Sequence, residues 1–215
     1  MNSSIDSNEL LKKLTDTLKE LRASTSYISY TKQVTPSELD VPINDGNDTI
    51  KYPYVCRPVN GQSDQACQLT EPKDLPNEIK GIYLIDFGLK NIFSTEKTLL
   101  TGVQACVWSH TGKSGTVTVS GMSAEKFNTT RTDKPESQHN FGKAFDVKLQ
   151  GRMKSNGSNY DQLACAYLCL YCVEAGSSKV FFSDQQVVDA VNKTTGKNVC
   201  QNIPDHENHI HMDIR

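Results

Sequence analysis

Three of the five histidines in this 215-residue chain lie within six residues, at His206, His209 and His211. The segment reads PDHENHIHMD, in which acidic, amide and apolar residues interrupt the histidines, unlike the uniform run of a purification tag. Side chains alternate between the two faces of a β-strand. A predicted strand over residues 209–214 therefore places His209 and His211 on one face, and the chain must fold into a sheet that carries both.

A second segment, SQHNFGKAFDV, carries His139 and Asp146 seven residues apart. That spacing equals two helical turns, but Gly142 and the β-prone residues 145–149 argue against a continuous helix. A loop that carries His139, turns at Gly142 and enters a strand with Asp146 brings both side chains to one point. Imidazole nitrogen and carboxylate oxygen are both good zinc ligands, and the histidine strand can add a third ligand and an acid or base. Taken alone, each segment also fits unrelated surface residues.

The chain from about residue 81 onward alternates between strand-like and helix-like patterns. Strands are predicted at 81–87, 116–120, 145–149, 179–183 and 209–214, and helices at 95–108, 161–174 and 185–192. Cys165, Cys169 and Cys172 share one stripe of the helix over 161–174, which predicts buried thiols in a core helix. Trp108 is also predicted to lie in the core.

The N-terminal part begins with a predicted amphipathic helix over residues 6–23. A capping-box pattern at Asp6 and Glu9 starts it, and charged residues cover one face. The opposite face carries five leucines: Leu10, Leu11, Leu14, Leu18 and Leu21. Two interpretations fit this helix, namely packing on its own domain or docking to a protein partner or a second copy.

Residues 24–80 are rich in Ser, Thr, Pro, Asn and Asp and predict an irregular or small β extension. Without a sign of export, we expect Cys56 and Cys67 to be free thiols. We therefore predict a docking or extension segment over residues 1–80 and a domain that carries the chemistry over residues 81–215.

The charge balance excludes some partners. Lys and Arg number 23 and Asp and Glu 25, for a formal net charge of −2, so the chain lacks the basic footprint of a general nucleic-acid or membrane-surface binder. No stretch approaches the roughly 18 apolar residues of a transmembrane helix. The segment MNSSIDSNELLKKL has neither the basic start nor the apolar core of a Sec signal, so we expect synthesis in the cytoplasm.

The two motifs together resemble a known group of enzymes. SQHNFGKAFDV resembles the Ser-x-His-x-x-Gly-x-Ala-x-Asp signature of the zinc D-alanyl-D-alanine carboxypeptidases, whose fold the hedgehog amino-terminal domain shares. PDHENHIHMD is similar to the Pro-x-His-x-x-His-x-His end of the penicillin-insensitive murein endopeptidases, and residues 115–121 (GTVTVSG) resemble the strand that precedes the first motif. The resemblance covers residues 81–215. It implies an α+β fold in which a small antiparallel sheet, flanked by helices, carries a zinc site, with a helical and loop-rich N-terminal extension.

The resemblance also implies roles for individual residues. His139, Asp146 and His211 would be the zinc ligands, and His206 and His209 would be the catalytic groups beside the metal. The candidate substrate-binding residues are Ser137 and Arg131, the latter as the nearest residue to hold a substrate carboxylate.

One departure from the carboxypeptidase pattern concerns the general base. Those enzymes usually carry a Glu where this chain has Asn208, and Glu207 is predicted to point to the opposite strand face. This departure favours the endopeptidase style, in which histidines replace the Glu.

The implied activity is zinc-dependent hydrolysis of peptidoglycan stem-peptide bonds next to D-amino acids. A catalytically inactive, zinc-stabilised binding or structural module of the same fold is the alternative. A virion-borne, wall-penetrating enzyme is a third interpretation, which would combine a peptidase without a signal peptide and an added docking segment. The motifs leave open DD or LD and carboxypeptidase or endopeptidase specificity.

Overall fold

A computed structural model describes residues 5–24, 27, 38–43, 48–58, 65–69, 94–111, 114, 117–121, 136–149, 151–153 and 159–215. In chain order its elements are α1 (Ser7–Ala23), β1 (Glu38–Ile43), β2 (Asp48–Pro58), β3 (Gln65–Leu69), α2 (Glu96–Thr111), β4 (Thr118–Gly121), a 3-10 helix (Gln138–Phe141), β5 (Ala144–Lys148), α3 (Gln162–Glu174), β6 (Lys179–Phe181), α4 (Gln185–Thr195), β7 (Cys200–Gln201) and β8 (Ile210–Asp213). The fold is α+β, as predicted. All four predicted helices are present, and so are four of the predicted strands; the predicted strand over 81–87 lies outside the described residues.

Strands β4 to β8 form one sheet in the order β4-β5-β8-β6-β7. The first four strands in this order pair antiparallel. β7 pairs parallel with β6, so the prediction of a wholly antiparallel sheet is wrong at this edge. The parallel pair is possible because α4 lies between the two strands in sequence and supplies the crossover connection that parallel strands need.

The pleat of the central strands separates an apolar face from a polar face. Asp146 on β5, and His211 and Asp213 on β8, alternate with apolar residues and therefore lie on the polar face. The apolar residues of these strands are fully buried: Phe145, Val147, Ile210 and Met212. Helix α2 packs against β5, and α3 packs against β6, so the helices lie over the sheet and complete the core.

Helix α3 lies in the middle of this core. It begins after Asp161, whose side chain accepts a hydrogen bond from the Ala164 N–H at 3.0 Å. Cys165, Cys169 and Cys172 are buried free thiols, as the sequence predicted. Their packing among apolar neighbours explains the cysteines as small core residues.

Helix α1 packs on its own core through its leucine face. The Asp6 side chain caps it by accepting hydrogen bonds from two N–H groups of the first turn. Leu10 and Leu14 are completely buried, and the helix contacts α3 and α4. This is the first of the two interpretations that the sequence left open. The predicted boundary between residues 80 and 81 lies outside the described residues, so that division stays a prediction.

A buried carboxylate links α1 to the other helices. Glu174, at the end of α3, is fully buried and accepts two hydrogen bonds from the Arg22 guanidinium, each at 3.0 Å. Lys197 and the Tyr27 hydroxyl also donate to it, both at 3.2 Å. Burial alone would raise the pKa of Glu174, but these partners outweigh burial and lower it.

The prediction that Cys56 and Cys67 are free thiols is wrong, because they form a disulfide. The antiparallel pairing of β2 and β3 makes the two residues direct neighbours. Cys67 also exchanges two backbone hydrogen bonds with Ser94, at 2.7 and 3.1 Å. The three-stranded sheet β1-β2-β3 is therefore attached directly to the segment that starts α2.

The Glu174 cluster predicts a pH-dependent loss of stability. In Glu174→Gln, the free energy of unfolding at neutral pH should fall by about 1–2 kcal/mol, since a charged hydrogen-bond acceptor is lost while its partners are half exposed. Because the pKa of Glu174 is lowered in the folded protein, its contribution is complete above the ordinary carboxyl pKa of about 4.3 and is lost as the pH falls through the folded value. Urea unfolding at several pH values should show the two proteins converge in acid.

Glu9→Gln is the matched control, because Glu9 forms an exposed ion pair with Lys13 at 3.3 Å on the same part of the fold. It should change stability by less than about 1 kcal/mol. Equal stability of Glu174→Gln and the wild type at neutral pH would contradict the account of this cluster.

Candidate metal centre

The register of the sheet places Asp146 directly opposite His211 on the neighbouring strand. On its other side, Asp146 pairs with Gly121 of β4. On the side of β8 away from β5, His211 pairs with Phe181 of β6. Four strands thus place one row of residues across the polar face of the sheet.

His139 reaches this row from the 3-10 helix that precedes β5. Gly142 ends this helix in the left-handed conformation, with φ of 68°, which a glycine adopts without steric cost. The chain reverses there, as predicted, and His139 Nε2 lies 3.2 Å from Asp146 Oδ2. The Thr95 N–H donates to the Gly142 carbonyl at 2.9 Å, so the start of α2 supports the turn.

The three predicted ligands lie together. One potential ligand atom from each of His139, Asp146 and His211 lies within 4.8 Å of the others. His211 Nδ1 is 2.8 Å from Asp146 Oδ1, and the two imidazole centroids are 5.0 Å apart. Two imidazoles and one carboxylate are a donor set found in metal sites that keep a further position open. The group is therefore a candidate site for a divalent metal ion.

Gly121 gives independent support to this site. A Cβ at this position would lie 2.4 Å from Asp146 Oδ2 and 3.2 Å from the Asp146 Cβ and Cγ. Any other residue would require the Asp146 carboxylate to shift from its present position. The glycine on β4 thus leaves the space that the candidate ligand occupies.

The charges of the group are strongly coupled. Burial alone would raise the pKa of Asp146, but hydrogen bonds and charge from His139 and His211 hold it well below its usual range. Burial also opposes the charged form of His211, but hydrogen bonds to Asp146 and Asp213 outweigh it and raise the His211 pKa to about 9. A metal ion at Nδ1 would replace a proton there, so metal binding should strengthen as the pH rises toward that value.

Asp213 holds the outer nitrogen of the same imidazole. Its Oδ1 lies 2.8 Å from His211 Nε2, and the carboxylate is buried. A carboxylate that accepts the second N–H of a metal-ligating histidine fixes the ring and makes it a better ligand. His211 Nδ1 is then left to face His139 and Asp146.

A second pair of imidazoles lies beside the three candidate ligands. The ring centroids of His206 and His209 are 4.9 Å apart, and His206 is 5.8 Å from His211. His206 Nδ1 lies 2.9 Å from the Pro204 carbonyl oxygen, and His209 Nδ1 lies 2.7 Å from Asn208 Oδ1. Burial lowers the pKa of His209, and the neighbouring histidines add to this effect, although the Asp146 charge opposes it. His209 is therefore neutral at neutral pH.

Phe181 forms one wall of the centre. Its ring stacks on His211 with centroids 5.2 Å apart and planes 6° apart, and its edge contact with His206 spans 5.6 Å. Sequence reasoning did not select this residue, because its place depends on the pairing of β6 with β8. Asp213 was also missed, although its position two residues after His211 was a usable signal for the same strand face.

The other predicted site residues fall in different places. Ser137 lies at the N-terminal end of the 3-10 helix that carries His139, and its carbonyl accepts the Asn140 N–H at 3.0 Å. Arg131 lies outside the described residues. His209 precedes β8 by one residue, so it lies next to the strand rather than in it.

The chain matches no protein-family model, and no curated protein matches it significantly. Within the described part of the chain, no helix is both long and apolar enough to cross a membrane. The class of molecule that these residues define is therefore an α+β protein with a candidate His-Asp-His metal centre.

The Asp213 contact predicts an effect on metal affinity. Asp213→Asn keeps the shape of the side chain but removes its charge, so zinc affinity should fall by about 10–100-fold, the usual scale for an outer carboxylate partner. Competition with a chromophoric chelator measures this. Asp189→Asn, on the exposed side of α4, is the control and should leave affinity unchanged. Unaltered zinc affinity in Asp213→Asn would show that this carboxylate does not act on the metal site.

Proposed function

We propose that the protein is a zinc-dependent peptidase that hydrolyses peptidoglycan stem-peptide bonds next to D-amino acids. The observation that carries this proposal is the convergence of His139, Asp146 and His211 with a second histidine pair beside them. The resemblance of both motifs to the carboxypeptidase and murein endopeptidase signatures supports the substrate class. The fold class and the sheet position of the ligands agree with it.

His139, Asp146 and His211 would hold the zinc ion. When bound there, zinc would supply a Lewis acid that polarises a carbonyl and makes water acidic enough to ionise near neutral pH. Asp146 and Asp213 contribute two negative charges to the group, and the histidines contribute neutral donors once the metal has replaced their protons. The two carboxylates would then balance the double positive charge of the zinc ion.

His209 is suited to move a proton. Since its pKa is lowered, it is neutral at neutral pH and can accept a proton from attacking water. The protonated ring can then deliver that proton to the leaving amine. This role places the acid–base function on an imidazole, where the carboxypeptidase pattern has a Glu and this chain has Asn208.

His206 can stabilise negative charge on the substrate carbonyl oxygen once its ring has taken up a second proton, on Nε2. Its Nδ1 contacts the Pro204 carbonyl, which can only accept a hydrogen bond, so Nδ1 carries a proton. Nε2 is then the ring nitrogen that remains available to a substrate. It accepts a proton in the neutral ring and donates to an oxyanion only in the imidazolium form.

A zinc-stabilised binding or structural module is the second candidate function. Asn208 favours it, because this exposed amide stands where the carboxypeptidases that the motif resembles carry a Glu. In that case the metal would stabilise the fold without turnover. Release to the cell wall from the cytoplasm or from a virion is part of the peptidase proposal and rests on the resemblance alone.

The metal assignment predicts one zinc ion per chain. Alanine substitution of His139, Asp146 or His211 should each remove most of the metal, because a three-ligand site cannot tolerate the loss of a ligand. Metal content after dialysis, measured by mass spectrometry, tests this, with the exposed Asp189→Ala as the control. Stoichiometric zinc in His139→Ala would make the site assignment wrong.

The role of His209 predicts a separation of metal binding from turnover. His209→Ala should keep zinc and lose activity on purified sacculi by a factor of about 10² or more, the usual contribution of an acid–base group. Activity before and after chelation provides the reference. Loss of zinc would instead make His209 a ligand, and full activity would assign the proton transfer to another group. Absence of chelator-sensitive hydrolysis by the zinc-loaded wild type would favour the binding module.

A further inference from the structure

Ser183, two residues after the end of β6, is hydrogen-bonded to the turn that presents His206. Ser183 donates its backbone N–H to the His206 carbonyl at 3.1 Å. Its hydroxyl donates to the Ile203 carbonyl at 2.5 Å and accepts the His206 N–H at 3.0 Å. Ser183 therefore makes three hydrogen bonds to the turn over residues 203–206, one to its first residue and two to its last.

The turn itself holds an uncommon backbone conformation. Asp205 has φ of 66°, and it is the one non-glycine residue with positive φ in the described part of the chain. Aspartate tolerates this region better than most residues, but it still prefers other conformations. Such a residue keeps its conformation when its surroundings determine it. The Ser183 hydroxyl is hydrogen-bonded to Ile203 before Asp205 and to His206 after it. These two bonds hold the Asp205 backbone in its conformation.

The conformation of the turn fixes the His206 imidazole. His206 Nδ1 lies 2.9 Å from the Pro204 carbonyl, two residues earlier in the same turn. This contact forms only while the backbone between the two residues stays folded back on itself. It selects the tautomer with the proton on Nδ1, and it leaves Nε2 as the acceptor nitrogen of a ring that contacts His209 and His211.

We propose that Ser183 is a positioning residue, which acts through the turn over residues 203–206 to set the orientation and the Nδ1–H tautomer of His206 beside the candidate metal ligands. The positioning itself is a property of the fold, and its effect on turnover rests on the proposed peptidase function. The Ser183 hydroxyl donates to Ile203 and accepts from His206, so an alanine loses both bonds and a threonine retains both.

The experiment compares Ser183→Ala with Ser183→Thr in the full chain. The first measurement is independent of activity: long-range 1H–15N NMR of the histidine rings, in zinc-free and zinc-loaded protein. In the wild type, His206 should show the Nδ1–H tautomer. In Ser183→Ala it should show a mixture of tautomers, and in Ser183→Thr it should return to the wild-type pattern. An unchanged tautomer in Ser183→Ala would overturn the proposal.

Turnover provides the second measurement. Zinc content should be the same in both variants, while kcat on sacculus-derived peptides should fall about tenfold or more in Ser183→Ala with little change in KM, because a misplaced group harms the transition state more than binding. Ser183→Thr should restore kcat. A fall in zinc content that matches the fall in kcat would overturn the proposal, since the serine would then act on the metal ligands.

Ser178→Ala is the matched control. Ser178 lies at the other end of β6, is similarly half-buried, and donates its hydroxyl to the Asp213 carbonyl at 2.8 Å, where its own backbone N–H also donates. It should leave the His206 ring signals unchanged. The same tautomer change in Ser178→Ala would show general loosening of β6 and would overturn the specific role of Ser183.

Two further arrangements keep the test decisive. If Ser183→Ala does not fold, Ser183→Cys, which keeps the volume and weakens both bonds, takes its place with the same expected tautomer change. If the wild type shows no hydrolysis, the NMR comparison still decides the positioning of His206, so failure of the peptidase proposal and failure of this inference give different results.

Discussion

The hydrogen-bonded pairing of β5 with β8 is the interaction on which the rest of the structure depends. Its register sets Asp146 opposite His211 and turns Val147 and Ile210 toward the helices. A shift of one residue would place a carboxylate in the apolar core and a valine among the histidines, because side chains alternate with period two. The buried core and the candidate metal centre are therefore specified by the same register, and neither can change without the other.

Support for the centre comes from parts of the chain far away in sequence. The disulfide-linked pair β2–β3 contacts Ser94, the next residue holds the carbonyl of Gly142, and Gly142 turns the segment that carries His139. Each link is either a covalent bond or a backbone hydrogen bond between residues that are in contact. Together the links connect the N-terminal sheet to His139 without a gap. The N-terminal elements thus contact the same core that supports the polar face, whatever further role they have.

Much of this arrangement could be predicted from local patterns. The capping-box pattern at Asp6 and Glu9 and the periodic leucines marked α1, and the β-prone residues around Asp146 and His211 marked the central strands. The disulfide, the parallel strand β7 and the contact of Phe181 with His211 could not be predicted, because each depends on which strands become neighbours. Strand order is decided by the packing of the whole sheet, and no short segment of sequence records it. The three candidate ligands could be predicted because they belong to two sequence motifs. Ser183 belongs to no motif and acts through backbone groups, so it could not be predicted.

The order of the sheet has a consequence for how the molecule assembles. β8 follows every other described strand in the sequence but occupies the middle of the sheet, between β5 and β6. Until it inserts, β4–β5 and β6–β7 are two separate pairs, each with an open edge that β8 later covers, and short ribbons of this kind are only marginally stable in water. Because the contacts that join them are distant in sequence, closing the sheet should be a late and slow event in folding. The strand that brings His211 is also the one that closes the sheet, so a properly folded chain and a complete candidate metal centre arise in the same step.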